Sequence, residues 1–536
     1  MQIIIDRKNW DFFSNSSFEG YFIGYLFHEK NLIINAEQLV NSISECNKSY
    51  LFDFFNKSNG NFAAIFKVNQ TFYLISDIQK TYPLFIIHLD QGKILCDNLS
   101  KVAFEKKLDW DAAEEFVASG WVYGNKTIYN GVTALQPGEI LSIEGHNIES
   151  LRYFKFLYDP FLKNNKTDHQ LFNELGTIFN NVFTRLVKSK PEVGNWIVPL
   201  SGGHDSRIIV NYLHKLDQRN VICFTYGNPG NPQSTISEQV AKSAGYEWYF
   251  VEYTEKAWAE VHKNGLFDQF IDESFNGSTL PHFQDFLAIY LLKQRGHIND
   301  RDIVVPGHTA ITEAAKYELD DLATTESVLD YVQKAYASIW PEKVGSHKIR
   351  TALNEMILDN NLEIFTFPEF YNWQERQAKF ISNSVRVYEF FGLGWRLPFW
   401  EKDVADFWLS VDFTRRIKRD ILLRADLEYL LNEQLRKIPF TDKWNKKQNY
   451  SRSIISKIPV PIRNLFLQIF KTNVKMAEGL NYIYALRAKS INDLISPLDD
   501  IPDEIKEYFA SFLKRSPRHL NNHSVTILHT LARQIH

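Results

Sequence analysis

The chain has 536 residues, a formal net charge of −4 and a pI near 6.5, with 44% hydrophobic and 23% charged residues. Such a length is too great for one core and implies two or three domains of a soluble globular protein. The charge gives no global attraction to nucleic acid or to an anionic membrane, so neither is expected as a partner. Cys46, Cys96 and Cys223 are scattered without C-x-x-C spacing, which implies no zinc site and no disulfide framework and fits a reducing compartment. The start, Met1-Gln2-Ile3-Ile4-Ile5-Asp6, lacks a basic n-region. No run of about 18 apolar residues occurs, so no membrane span is expected. A cytoplasmic location follows as the default.

Residues 1–158 read as β-rich. Phe22-Ile23-Gly24-Tyr25-Leu26, Phe62-Ala63-Ala64-Ile65-Phe66 and Thr71-Phe72-Tyr73-Leu74-Ile75 have strand length and strand composition. Helices are expected near 36–45 and 109–119. Turn signals stand at Ser58-Asn59-Gly60-Asn61 and Gln136-Pro137-Gly138. A polar Asn/Lys-rich stretch, 161–168, is the linker candidate. It leads into a helix over 170–188 whose apolar residues recur at helical spacing, from Leu171 and Leu175 to Phe183 and Leu186.

The run Trp196-Ile197-Val198-Pro199-Leu200 then meets Ser201-Gly202-Gly203-His204-Asp205-Ser206 and an apolar helical pattern from Arg207. Strand, glycine turn and helix N-terminus gather unpaired N–H groups and a positive dipole end, which suits an anion such as phosphate. Gly202 and Gly203 allow close approach of backbone to ligand, and Ser201 and Ser206 can donate hydroxyl hydrogen bonds. Asp205 is a hard oxygen ligand suited to magnesium. The plain alternative is a glycine turn whose helix is capped by Asp205 or Ser206.

Alternation continues with strands over 220–227, 247–251 and 303–308 and a helix over 237–245. Near-continuous apolar strands between helices predict a doubly wound parallel sheet, with ligands beyond the strands' carboxyl ends, where Leu200, Tyr226 and Pro306 fall. Residues 331–536 read as mostly helical. A basic cluster, Lys443, Lys446, Lys447, Arg452 and Lys457, reads as a solvated helical surface.

The string S-G-G-x-D-S resembles the PP-loop of ATP pyrophosphatases, which cleave ATP to AMP and pyrophosphate and include the asparagine synthetases. It is not a Walker A loop, since no G-K-[S/T] follows. Other strings resemble the same family. Asn59-Gly60-Asn61-Phe62-Ala63 is similar to N-G-x-F-A. Ser76-Asp77-Ile78 with Tyr82-Pro83-Leu84-Phe85 is similar to D-R-x-G-x-x-P-L-F/Y. Lys126-Thr127-Ile128-Tyr129-Asn130-Gly131-Val132, Leu135-Gln136-Pro137-Gly138 and Arg152-Tyr153-Phe154 resemble the close of its glutaminase domain. Gly392-Leu393-Gly394-Trp395-Arg396-Leu397-Pro398-Phe399 resembles G-L-E-x-R-x-P-F.

The resemblance implies an N-terminal α+β Ntn-like sandwich (1–158) followed by a doubly wound PP-loop domain with a helical C-terminal region (165–536). It implies ATP and Mg2+ as cofactors. Leu200, Ser201, Gly202, Gly203, Asp205, Ser206, Tyr226, Gly227, Gly307 and His308 would hold the nucleotide, with Tyr226 and Gly227 on the strand whose backbone reads the adenine. His308 is also read as a plain loop histidine, Glu238 as facing the nucleotide or metal or else complementing the first turn of its helix, and Arg396 as an ordering residue or one that meets the substrate.

The chain departs from the family in three places. Gln2 stands where the glutaminase has its N-terminal nucleophilic cysteine, so that domain is expected to be inactive and Asn59-Gly60 to be a turn. Ile311 stands at the second magnesium carboxylate, leaving Glu313 as the substitute metal ligand beside Asp205. Asp420 stands where a transition-state lysine is expected, leaving Lys418 or Arg419 to act.

The function implied is an AMP-forming, amide-forming ligase resembling asparagine synthetase. Asp205 and Lys418 would be its catalytic residues. A small-molecule or peptide carboxylate and an ammonia or amine donor would be its substrates, in a specialised pathway of surface polysaccharide or natural-product synthesis. A homodimer is compatible with this reading. The alternative from another class is a degenerate nucleotide-binding homologue without catalysis. Other PP-loop chemistry such as thiolation lacks cysteines near the loop.

Overall fold

The computed structural model describes all residues except 8, 17, 160, 191–193, 309–321, 338–345, 418–428, 441–521 and 536. The described residues are mixed α/β with three sheets, one of them parallel. The first 152 residues form two sheets. A seven-stranded antiparallel sheet runs Asn147–Arg152, Glu139–Glu144, Thr71–Ser76, Ser58–Val68, Phe18–His28, Asp11–Ser14, with Asn31–Ile33 also on Phe18–His28. A four-stranded sheet runs Gln2–Ile4, Gly92–Cys96, Phe85–Leu89, Val132–Ala134.

Side chains that alternate along a strand build the layers. Phe22, Leu26, Ala64 and Phe66 share a core with Leu39, Leu51 and Phe55 of the helices Ala36–Ser42 and Lys48–Asn56. Their neighbours Ile23, Ala63 and Ile65 share a core with Ile86 and Leu95 of the smaller sheet. The smaller sheet's other face, Phe85, Ile87 and Ile94, packs on Ala113, Phe116 and Val117 of the helix Trp110–Ser119. The result is four layers: helix, sheet, sheet, helix.

Two local readings change here. Ser58, Asn59, Gly60 and Asn61 are not a turn but the first residues of the strand Ser58–Val68, with Gly60 opposite Leu26 and Asn59 opposite Phe27. The glycine serves close approach: a Cβ on Gly60 would lie 2.2 Å from the Tyr25 carbonyl oxygen. The 162–167 stretch is tethered. Asn164 donates from its backbone to Asp412 at 3.0 Å and from its side chain to the Ser410 carbonyl at 2.8 Å. The expected turn at Gln136-Pro137-Gly138 is present, with Gly138 at φ +62°.

The parallel sheet runs Glu247–Glu252, Val221–Gly227, Trp196–Pro199, Ile303–Val304, Gly394–Trp395, with every neighbouring pair parallel. In chain order this is 3-2-1-4-5. Helices cover both faces. Asp168–Lys188, Asp205–Lys215 and Pro232–Ser243 bury Phe179, Ile209 and Val240 beside Trp196 and Val198. On the other face Trp258, Phe267 and Phe286 pack beside Ile197 and Val304. The helix expected over 237–245 starts earlier, at Pro232, where Asn231 caps it and proline fits the first turn. The fifth strand, only two residues long, gives no periodic signal in the sequence.

Asn372–Ile381 winds as a π-helix and is buried with polar residues. It joins the N-terminal layers to the rest. Trp373 donates to the Ile78 carbonyl at 2.9 Å, and Gln374 accepts from Arg152 at 2.8 Å. Arg396 is an ordering residue. Its guanidinium donates to the Ser189 hydroxyl and carbonyl, both at 2.8 Å, and lies 4.7 Å over the Tyr25 ring.

Candidate active site

In the order 3-2-1-4-5 the chain reverses direction between Trp196–Pro199 and Ile303–Val304. A crevice opens beyond the carboxyl ends at such a switch point. Here it is a cavity of about 300 Å³, whose wall includes Leu200, Ser201, Ser206, Tyr226, Gly307 and His308. Six of the residues singled out in the sequence thus meet on one wall.

The loop is shaped by its own hydroxyls. The Ser201 N–H donates to Ser206 Oγ at 3.1 Å, the two hydroxyls lie 3.1 Å apart, and the Gly203 N–H donates to Ser201 Oγ at 3.2 Å. The Leu200 carbonyl accepts from Thr225 Oγ1 at 2.7 Å and Ser237 Oγ at 2.9 Å, which fixes the strand end. The helix Asp205–Lys215 has His204 at its N-cap, whose side chain makes no capping hydrogen bond. A Cβ on Gly307 would lie 2.7 Å from the Ser206 nitrogen. Only glycine lets the second strand end come this close to the helix N-terminus.

Gly202, Gly203 and Asp205 belong to the loop but lie outside the cavity wall. Gly227 ends its strand at φ +127°, and its carbonyl accepts from the Tyr253 N–H at 3.0 Å. Glu238 points away and pairs with Lys242 at 2.6 Å, one helical turn on. Glu313, Ile311, Lys418, Arg419 and Asp420 lie outside the described residues. So does the basic cluster from Lys443 to Lys457.

His308 is held by Ser384, whose Oγ is 2.7 Å from Nε2, and its ring stacks near Trp400. Burial pushes its pKa down to about 4, so the imidazole is neutral at neutral pH. Asp285 also lines the cavity. Its carboxylate accepts from Tyr388 Oη at 2.6 Å and from the Tyr226 side chain. Burial raises its pKa, and these hydroxyl donors oppose the rise. Asp285 and Ser384 carry no local motif. They follow the second and fourth strands by 58 and 80 residues, counted from Gly227 and Val304, and only the assembled sheet brings them in.

The fit to a nucleotide is physical. The hydroxyl residues Ser201 and Ser206, beside a helix N-terminus, and the aromatic Tyr226 line a cavity at a switch point. The fit to magnesium is narrower. Among the described residues no group of three or more His, Cys, Asp or Glu side chains is arranged to hold a metal ion. Asp205 is the loop's carboxylate that would hold a magnesium ion. No helix among the described residues is long and apolar enough to cross a membrane.

No family model matches the chain, and no curated protein matches it. Solved structures align over parts of it. The NH3-dependent NAD synthetase from Campylobacter jejuni in complex with nitrate covers 40% of this chain and 95% of its own, at 11% identity and a TM-score of 0.21. A glutamine-dependent NAD(+) synthetase from Cytophaga hutchinsonii covers 71% and 88%, at 9% identity and 0.19. The glutamine phosphoribosylpyrophosphate amidotransferase from B. subtilis complexed with ADP and GMP covers 45% and 73%, at 11% and 0.19. Likenesses this slight leave the fold to rest on the strand order and packing described above.

Proposed function

We propose that the chain is an ATP-dependent, amide-forming ligase of the asparagine-synthetase type. The observation that carries this is the S-G-G-x-D-S loop at the switch point of a 3-2-1-4-5 parallel sheet, with Gly307 pressed against its helix. Phosphates lie against the Ser201 and Ser206 hydroxyls and the first N–H groups of Asp205–Lys215, with the base toward Tyr226. A substrate carboxylate oxygen attacks the α-phosphorus, and pyrophosphate leaves. The loop's N–H groups stabilise the charge that develops on it. A nitrogen nucleophile then attacks the acyl carbon, loses its proton and expels AMP. Magnesium, when bound beside Asp205, neutralises phosphate charge.

In this reading residues 1–158 are a glutaminase-like platform without nucleophile, and 165–536 are the synthetase. The thiols agree with an inactive platform. Within it burial pushes Cys46 and Cys96 upward, away from the thiolate form a nucleophile needs, as it does Cys223 of the synthetase part. Lys418 and Glu313 remain the proposed transition-state cation and second metal ligand.

The test is pyrophosphate release with ATP, magnesium, ammonia and a panel of carboxylates. Release that depends on one carboxylate is expected, and Asp205→Ala should lower it by at least about 100-fold while the melting temperature holds. Full activity in that variant would remove Asp205 from the metal site. One observation favours the second reading, a nucleotide-binding protein without catalysis: among the described wall residues there is no lysine or arginine. ATP binding with no release from any carboxylate would decide for it.

A further inference from the structure

Between the turn at residues 77–81 and the buried stretch at 378–386 lies a second cavity, of about 10 Å³. That is room for one water-sized body. Its wall includes Lys80, Lys379 and Arg386, and no Asp or Glu. Lys379 spends its three donors on the Val122 and Gly124 carbonyls and on Glu375. Arg386 donates to the Thr81 carbonyl at 2.6 Å and pairs with Glu389 at 2.8 Å. Lys80 is different. It is 4% exposed, and its Nζ has no hydrogen-bond partner among the described residues. Thr279 Oγ1, in the same wall and 1% exposed, has none either, nor has Arg386 Nε.

The backbone at Lys80 sharpens the point. Its φ is +51°, a left-handed position that glycine occupies without cost. The turn imposes it. The Asp77 carboxylate accepts from the N–H groups of Phe62, Gln79 and Thr81 and from the Thr81 hydroxyl, while the Lys80 N–H donates to the Asp77 carbonyl. A lysine here bears backbone strain and a desolvated ammonium, with no protein acceptor to offset either.

We infer that this cavity is a binding site for one monatomic anion of the chloride class, held by the Lys80 ammonium, the Thr279 hydroxyl and the Arg386 Nε–H. The narrow space favours a single small ion over phosphate or a carboxylate ligand. Lys379 and Arg386 each face a carboxylate of their own, Glu375 and Glu389, whereas the Lys80 ammonium has no ion-pair partner among the described residues. An anion needs donors only.

Burial, Lys379 and Arg152 lower the Lys80 pKa to about 7, while Glu375 and Glu139 raise it. The anion takes the protonated lysine, so its binding weakens as pH rises through that titration.

The test compares melting of the full chain in sodium chloride and in sodium gluconate at equal ionic strength. At pH 6, chloride should raise the Tm saturably by about 2 °C, and less at pH 9. Lys80→Met should abolish the difference, and Thr279→Val, which keeps the lysine, should weaken it. Crystals grown in bromide should show an anomalous peak between Lys80 and Thr279. Equal melting in both salts at pH 6, a chloride effect that survives Lys80→Met, or an empty cavity in the bromide map would each overturn the assignment.

Discussion

Gly307 sits where a methyl group has no room. With a Cβ 2.7 Å from the Ser206 nitrogen, Gly307→Ala must push the strand end away from the helix N-terminus that faces the cavity. The expected result is nucleotide affinity weakened at least about tenfold, with a stability cost of about 1–3 kcal/mol, read by nucleotide titration and thermal melting. His308 gives a pH signature. Its pKa in the fold, about 4, lies below the ordinary 6.5. The stability it contributes is therefore present above pH 6.5 and lost as pH falls toward 4. Asp77, raised to about 6 by burial, works in the opposite sense below pH 6. The comparison must therefore be between variant and wild type. His308→Gln should lose less stability than wild type between pH 6.5 and 4, measured by denaturant unfolding. The loop residues were legible in the sequence because strand, turn and helix are contiguous there. Asp285 and Ser384 were not, because their place in the site comes only from tertiary assembly.

The strand Ser58–Val68 shows where local signals mislead. Ser-Asn-Gly-Asn has turn composition, yet it pairs along its length with Phe18–His28. The reason is the element it meets. Asn59 donates to the Asp403 carboxylate at 3.1 Å and accepts from the Asp403 N–H at 2.9 Å, and Asn61 accepts from the Leu397 N–H at 2.9 Å. The polar residues of the strand thus satisfy the start of the helix Lys402–Leu409 and the chain before it. Asn59→Ala should cost about 1–3 kcal/mol by leaving these groups unpaired. Asn59→Asp should cost more at pH 7, since it sets a second carboxylate against Asp403, and its excess over alanine should shrink below pH 4. Thermal melting of the two variants at both pH values decides this. Long amphipathic helices such as Asp168–Lys188 were readable from spacing. The two-residue strand Gly394–Trp395 was not, because so short a strand carries no period.

At the scale of the molecule, the four N-terminal layers and the parallel sheet share cores. Phe54 and Phe62 belong to the same apolar cluster as Phe183 and Trp196. The alternation of strands and helices, and hence the doubly wound class, was legible. The order 3-2-1-4-5 was not, because pairing between strands far apart in the chain leaves no local trace. The thiols give a whole-molecule test. Cys96 and Cys223 are fully buried, and Cys46 is half-buried. Iodoacetamide at pH 7.5 should add at most one label, at Cys46 by mass spectrometry, and leave nucleotide binding unchanged.

The bond from the Leu397 N–H to Asn61 spans 336 residues of chain. At about 5–20 residues per second of synthesis, roughly 17–67 s pass between the two ends' appearance. Throughout that interval the edge at Asn59 and Asn61 stands without its partner, and the last parallel strand does not yet exist. Once Arg152 has emerged, the nascent chain therefore has the strands of its N-terminal sheets in hand while the parallel sheet and the cavity at its switch point are still incomplete.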